Sequence, residues 1–287
     1  MAKIYVIDQN VMQRPELPRF FAEHPDAKYV VPDTGLVEMV KSEKWEYTFK
    51  RNFAALVPVV TRCFMSLSVQ EAREYELKRR VSIEGQLLPD DFTCLLRGAI
   101  VGSQPGNDNA TMQQLRRKMD GARAVLAAED LNGPVLREEL THLIAEARSK
   151  LTLEELRACK REGQPGRLSR LGITRDVGDA LYVAHMRNMK VPLSVSRRLW
   201  KTGGMHRRWA YMLVHQAMQW LGEGGLESAP DKTVLNDILD QDYVLMASFF
   251  DGLLSIEKGS LRAYEDLCIL LKLPPGVNAP VWIASEC

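Results

Sequence analysis

Short apolar runs mark both ends of this chain, and the long stretch between them repeats on a helical period. The first run, Lys3-Ile4-Tyr5-Val6-Ile7, is closed by Asp8-Gln9-Asn10-Val11 and reads as a buried strand that delivers an acid and an amide to a loop. Lys28-Tyr29-Val30-Val31 is a second strand, and Asp33 or Thr34 is placed to cap the helix that follows it. Leu56 to Val60 is a third run, and Pro58 inside it predicts a strand at a sheet edge. From about Ser68 to Gly222 helix dominates, with capping-box patterns at Ser68-Val69-Gln70-Glu71 and Thr152-Leu153-Glu154-Glu155. Breaks are expected at residues 103–109, at Asn132-Gly133-Pro134, at 163–166, at Gly203-Gly204 and at 222–225. Trp209, Leu213, Gln216 and Trp220 form one stripe of a helix after Gly204, a core-facing pattern.

The strand pattern then returns. A helix over roughly 232–249 precedes the strand Gly252-Leu253-Leu254-Ser255-Ile256, a helix over 261–271 follows, and Pro280 to Ala284 is a last strand. Strands from both ends of the chain therefore share one sheet. The expected organisation is a discontinuous α/β domain, residues 1–64 and 226–287, interrupted by a helical insertion over 65–225.

Composition bounds the rest. A chain of 287 residues with 46% apolar and 26% charged residues is an ordinary globular protein of one large or two small domains. No run approaches the ~20 apolar residues of a membrane span. The chain enters a strand at once, so no secretory signal is expected and the cytoplasm is the expected compartment. Five scattered cysteines without a CxxC suggest reduced thiols, and five histidines without an HExxH pair argue against a zinc enzyme. The net charge of +1 hides a strong asymmetry. Residues 160–208 carry many bases against Glu162, Asp176 and Asp179 alone, whereas residues 223–257 carry eight acids against Lys232. A basic stretch beside an acidic one suits a polyanion held next to a cation site; two solvated helical faces of opposite sign are the plainer reading.

Four carboxylates stand out by placement. Asp8 closes the first strand, Glu38 lies early in the next helix, Asp240 precedes the late strand with Asp237 one turn earlier, and Glu257 follows that strand as Asp8 follows the first. In open α/β sheets, ligands bind beyond the carboxyl ends of the strands, so parallel neighbours would bring Asp8 and Glu257 to one edge. Gathered carboxylates repel unless a cation neutralises them, and hard Mg²⁺ or Mn²⁺ prefers oxygen ligands. Such a site activates water and stabilises a leaving oxygen in phosphodiester cleavage. Each acid also has a plainer role: a helix cap for Asp8, a surface acid for Glu38, structural acids for Asp237 and Asp242, and a turn acid for Glu257.

With these residues in place, the chain resembles the PIN domain family of metal-dependent nucleases. The resemblance rests on Asp8-Gln9-Asn10, on Val37-Glu38-Met39-Val40, on Asn236-Asp237 leading to Asp240, and on Leu254-Ser255-Ile256-Glu257. It covers roughly residues 1–60 and 230–287, and the insertion matches nothing familiar. Glu257 stands where the family has Asp, which puts the number of metals in question. The resemblance implies a Rossmann-like, three-layer α/β/α fold around a central parallel sheet, and a Mg²⁺- or Mn²⁺-dependent endoribonuclease, toxin-like or RNA-processing. The implied ligands are Asp8, Glu38, Asp240 and Glu257, with Asn10, Asn236, Asp237 and Ser255 in support. It leaves room for an inhibitory or regulatory protein partner and for a homodimer.

The bases Arg197, Arg198, Lys201, Arg207 and Arg208 are the candidate contacts to the RNA backbone, with Trp200 and Trp209 core residues rather than stacking platforms. Asp179, in Arg175-Asp176-Val177-Gly178-Asp179, is a weaker rival to Asp240. The alternative function is a catalytically weak PIN-like module that binds RNA or a protein. A haloacid-dehalogenase-type phosphatase also opens on a strand and an Asp, but that chemistry needs a second Asp where Asn10 stands.

Overall fold

A computed structural model describes residues 2–40, 44–104, 106, 110–114, 116–117, 133–149, 151–223 and 231–273. Its chain order is β1 (Ile4–Ile7), α1 (Gln9–Met12), α2 (Leu17–Glu23), β2 (Lys28–Val31), α3 (Asp33–Val40) and α4 (Trp45–Ala54). A 3₁₀ segment (Val57–Arg62) leads to β3 (Cys63–Met65), α5 (Val69–Arg79) and α6 (Asp90–Gly102). Then come α7 (Gly133–Ser149), α8 (Leu153–Cys159), α9 (Gly163–Asn188), α10 (Leu193–Lys201) and α11 (Met205–Glu223). The chain closes on α12 (Asp231–Ala247), β4 (Gly252–Leu254) and α13 (Lys258–Leu271).

Among the described residues the strands form a four-stranded parallel sheet in the order β3-β2-β1-β4, so β1 lies inside it with β4 beside it. Strand alternation divides the core between two faces. Tyr5, Ile7, Tyr29, Val31, Cys63, Met65 and Leu254 pack with α1 to α4 and α6. Val6, Val30 and Leu253 pack on the other face with residues of α5, α11, α12 and α13. Sheet residues therefore share one core with Val69 and Ala72 of α5 and with Met205, Tyr211 and Met212 of α11. No helix among the described residues is long and apolar enough to cross a membrane.

Both capping boxes form: Ser68 and Thr152 accept from the backbone of Glu71 and Glu155, whose side chains bond back. The expected strand over 56–60 is corrected. That run is the 3₁₀ segment, with Pro58 in its first turn where no backbone donor is needed, and the edge strand starts at Cys63. The expected break at 163–166 is the first turn of α9, and the chain turns just before it, with Gly163 at φ +70°. The stripe Trp209, Leu213, Gln216 and Trp220 packs inward: Trp220 is buried, Trp209 and Leu213 are half-buried against the core clusters, and Gln216 donates to Asp237. Thr34 does not serve as a free cap; its hydroxyl donates to Asp242 Oδ2 at 3.0 Å. The strand expected at Pro280 to Ala284 lies outside the described residues.

Candidate functional site

The pairing of β1 with β4 sets Ile7 against Leu254, so the two chains leave the sheet side by side. Asp8 keeps the ladder for one more bond, its N–H donating to Leu254 O at 2.9 Å. Its side chain, 2% exposed, caps the short α1 by accepting from Asn10 N at 3.1 Å. The other oxygen accepts from Ser255 Oγ at 2.6 Å, and Ser255 Oγ in turn accepts from Glu257 N at 3.0 Å. Asn10 Nδ2 reaches Glu257 Oε1 at 3.4 Å. The two strand ends are thus laced together by Asp8, Asn10, Ser255 and Glu257, and the cap role and the cluster role of Asp8 coexist.

Glu38 enters from α3, where its Oε2 accepts from Tyr243 Oη at 2.8 Å. Tyr243 is on α12, so this bond ties α3 to α12. Gly35 permits it: a Cβ there would lie 3.0 Å from the Tyr243 oxygen. Asp240 lies one turn before Tyr243 on α12. Burial, then the charges of Asp8, Glu38, Glu257 and Asp237, push its carboxyl up to about 7. Asp8 is raised as well by burial, although its bonds from Ser255 and Asn10 oppose the shift. Burial and the charges of Glu38 and Asp8 hold the Tyr243 phenol far above its usual range, so it stays a hydrogen-bond donor. The charges of Asp8, Glu38 and Glu257 thus all act on Asp240, and that of Glu257 also on Asp8. Among the described residues, however, no three Asp, Glu, His or Cys side chains stand close enough to hold a metal as they are. The donor set still suits a hard cation, because it is built of carboxylate, amide and hydroxyl oxygens.

The supporting acids divide. Asp237 accepts from Gln216 Nε2 at 3.3 Å and from Trp220 Nε1 at 3.2 Å, which joins α12 to α11. Asn236 is exposed on the same helix. Asp242 faces Thr34 and, at a distance, Arg73, and burial pushes it to about 7. Asp179 accepts from Trp200 Nε1 at 2.9 Å and Tyr211 Oη at 2.7 Å, within the helical segment, and does not contribute to the charge on Asp240.

The basic set also divides, and this corrects its reading as one surface. Arg208 is 5% exposed, donates to Gly203 O at 2.6 Å and to Ser248 O, and stacks on Phe249. It fastens α11 to the end of α12, and its burial keeps it from a surface-bound strand. Arg207 lies over the Trp200 ring at 4.0 Å and donates to Tyr211 Oη at 2.7 Å. Arg198 bonds Arg80 O. Arg197 and Lys201 are exposed and line a cleft of about 850 Å³ with Leu193 and Trp200.

A smaller cleft, about 150 Å³, opens beside Asp240 between α11, α12 and α13. Its residues His215, Gln219 and Ser260 escaped sequence reasoning, because none sits in a motif and His215 belongs to the apolar-looking α11. Compared with protein-family models, with curated proteins and with solved structures, the chain finds no match.

Proposed function

We propose that this protein is a divalent-metal-dependent nuclease that cleaves RNA, with a PIN-like, Rossmann-type three-layer core. The observation that carries the reading is the hydrogen-bonded lacing of Asp8, Asn10, Ser255 and Glu257 at the carboxyl ends of β1 and β4, with the charges of Asp8, Glu38 and Glu257 all acting to raise Asp240. Mg²⁺ or Mn²⁺, when bound, lowers the pKa of a bound water and offsets charge that builds on the phosphate. The protein's own groups do the positioning. Ser255 and the Asn10 backbone fix the Asp8 carboxylate. Asn10 Nδ2 steadies Glu257, and Tyr243 steadies Glu38. Burial and the neighbouring carboxylates push Asp240 up to about 7, so holding a cation would require it to lose its proton. Exposed Arg197 and Lys201 offer contacts to a nucleic-acid backbone beside Trp200, and RNA is the substrate that the PIN resemblance implies. The buried or exposed free thiols among the described residues fit the cytoplasm.

A second reading is a metal-poor PIN-like scaffold that binds RNA or a regulatory protein. It is favoured by the Tyr243–Glu38 bond, which occupies one would-be ligand, and by the absence of a ready three-ligand set among the described residues. Cleavage of single-stranded RNA in Mn²⁺ separates the two. Wild type should cut, and EDTA, Asp8→Asn or Asp240→Asn should each lower the rate more than about a hundredfold, the loss of several kcal/mol of stabilisation. Metal-independent cutting, or none by wild type, overturns the nuclease reading.

A further inference from the structure

The large cleft between α9 and α10, about 850 Å³, joins an apolar floor to a charged rim. On α10 the lining residues Leu193, Ser196, Arg197, Trp200 and Lys201 fall at i, i+3, i+4, i+7 and i+8, which is one face of a helix. Val183 and Met186 line it from α9, and Val191 from the turn between the helices. The walls are fixed to each other. Tyr182 Oη on α9 donates to Ser196 O at 2.7 Å, and Trp200 Nε1 donates to Asp179 Oδ1 at 2.9 Å. Tyr182, Met186, Leu199 and Ala210 form a small core of their own behind them. Leu193 is nevertheless 64% and Val183 49% exposed. Aliphatic side chains left open together in one cleft mark an interaction surface, whereas scattered single ones do not.

The rim carries one sign of charge. Arg187, Lys190, Arg197 and Lys201 line the cleft, and among the described residues no acid does. The sequence sharpens this, since it has no Asp or Glu from Ala180 to Gly222. Asp179, the last acid before that stretch, is engaged by Trp200, Tyr211 and Arg207. An occupant of the whole cleft must therefore bring carboxylates or phosphates to the rim and aliphatic groups to the floor. A nucleic-acid strand meets the first demand alone. Its bases gain from aromatic faces, and Arg207 already lies over the Trp200 ring at 4.0 Å.

We propose that this cleft docks an acidic amphipathic helix of a protein partner, with aliphatic side chains on the floor and carboxylates against the four bases. A helix laid in a groove presents its anchors at i, i+3, i+4 and i+7, the spacing that α10 itself offers to the cleft. α10 has 9 residues, so its face runs for about 14 Å and takes about two and a half turns of partner helix. The partner and a nucleic-acid backbone share Arg197 and Lys201, so each excludes the other there. Docking goes beyond the nuclease reading and needs neither metal nor cleavage.

The probe is a synthetic peptide of about 18 residues, with leucines at i, i+3, i+4 and i+7 and glutamates on the flanks. In EDTA its labelled form should bind the full chain, gain helical circular dichroism, displace RNA and weaken as salt rises. Versions with lysine for glutamate, or with serine for leucine, should bind at least about tenfold more weakly. Arg197→Glu with Lys201→Glu should reverse the preference toward the lysine peptide. Leu193→Ser should weaken the acidic peptide about fivefold or more, the loss of one interface anchor, and leave RNA affinity unchanged. Its melting temperature should be kept, because the side chain is mostly exposed. No binding, or binding that Leu193→Ser leaves intact, overturns the proposal. So does an equal loss of RNA affinity in Leu193→Ser, which gives the floor to the strand. So does sedimentation of the free protein as a dimer that Leu193→Ser dissociates, which gives it to a second copy. Peptide binding without any RNA cleavage would sink the nuclease reading and leave this one.

Discussion

Asp240 carries the carboxylate that the acidic cluster tolerates least, and its proton makes that testable without substrate. Its pKa rises from 3.8 to about 7 on folding, so between those values the folded protein holds more protons than the unfolded chain. Stability must then fall as pH rises from about 4 to about 7 and level off above. Asp242, at about 7, and Asp33, at about 6, tilt the curve the same way, both chiefly through burial. Asp240→Asn should flatten its share of that slope and make the metal-free protein more stable at pH 8. At ~1.4 kcal/mol per pKa unit, the gain is at most about 4 kcal/mol. Asp8 is raised too, but its bonds from Ser255 and Asn10 need the carboxylate, so Asp8→Asn should gain less. Urea unfolding at pH 5 and pH 8 measures both. If Asp240→Asn is destabilised at pH 8, its charge is not a burden and the cluster is not what its pKa implies. In Mn²⁺ the order should reverse, because wild type alone gains the full binding energy of the cation.

Helices and strands were legible in unequal measure. Parallel strands buried on both faces left continuous apolar runs, so β1 and β2 stand at the predicted residues, and Ser68 and Thr152 announced two helix starts. Asp8 was found because a strand end is marked by the same apolar run. What local pattern does not carry is contact between distant elements. Nothing near Arg208 signals that it turns inward to Ser248, and nothing near Glu76 signals its partner helix. Glu76, fully buried on α5, accepts from Ile83 N, Met205 N and His206 N at 3.1, 2.9 and 3.3 Å. It caps the N-terminus of α11 from another helix, where a negative charge meets free N–H groups. Gly204 leaves room for it, since a Cβ there would lie 2.8 Å from Glu76 Oε1. Glu76→Ala should cost about 3 kcal/mol or more by stranding three buried donors. Gly204→Ala should cost about 1–3 kcal/mol by pushing the carboxylate off them. A melt of the two variants and the double variant tests the link: additive losses would mean that Gly204 does not act through Glu76.

Across the molecule, the excess of bases in residues 160–208 serves two ends, and the structure separates them by depth. Arg208 lies in the core, with Gly203 and Ser248 carbonyls and the Phe249 ring as its partners. Arg207 is spent on Trp200 and Tyr211. Arg197, Arg198 and Lys201 are the exposed members of the five proposed contacts, and of these Arg197 and Lys201 line the large cleft beside Leu193, itself 64% exposed. Phosphate contacts release counterions, and on single strands each contributes ~0.7 to the slope of log affinity against log salt. Arg197→Ala with Lys201→Ala should therefore weaken RNA binding evenly across sequences and reduce that slope by about 1.4, with the melting temperature kept. Arg208→Ala should do the opposite. It should lose about 2–4 kcal/mol of stability, because two buried carbonyls lose a charged donor and an aromatic ring loses its cover, and its folded fraction should bind RNA as wild type does. Anisotropy titrations of one labelled RNA from 50 to 300 mM salt, with a melt of each preparation, decide between them. A salt slope unchanged in the Arg197 and Lys201 variant would move the RNA path off this face of the helical segment. A slope reduced in Arg208→Ala at full folding would mean that the buried arginine comes out to meet the strand.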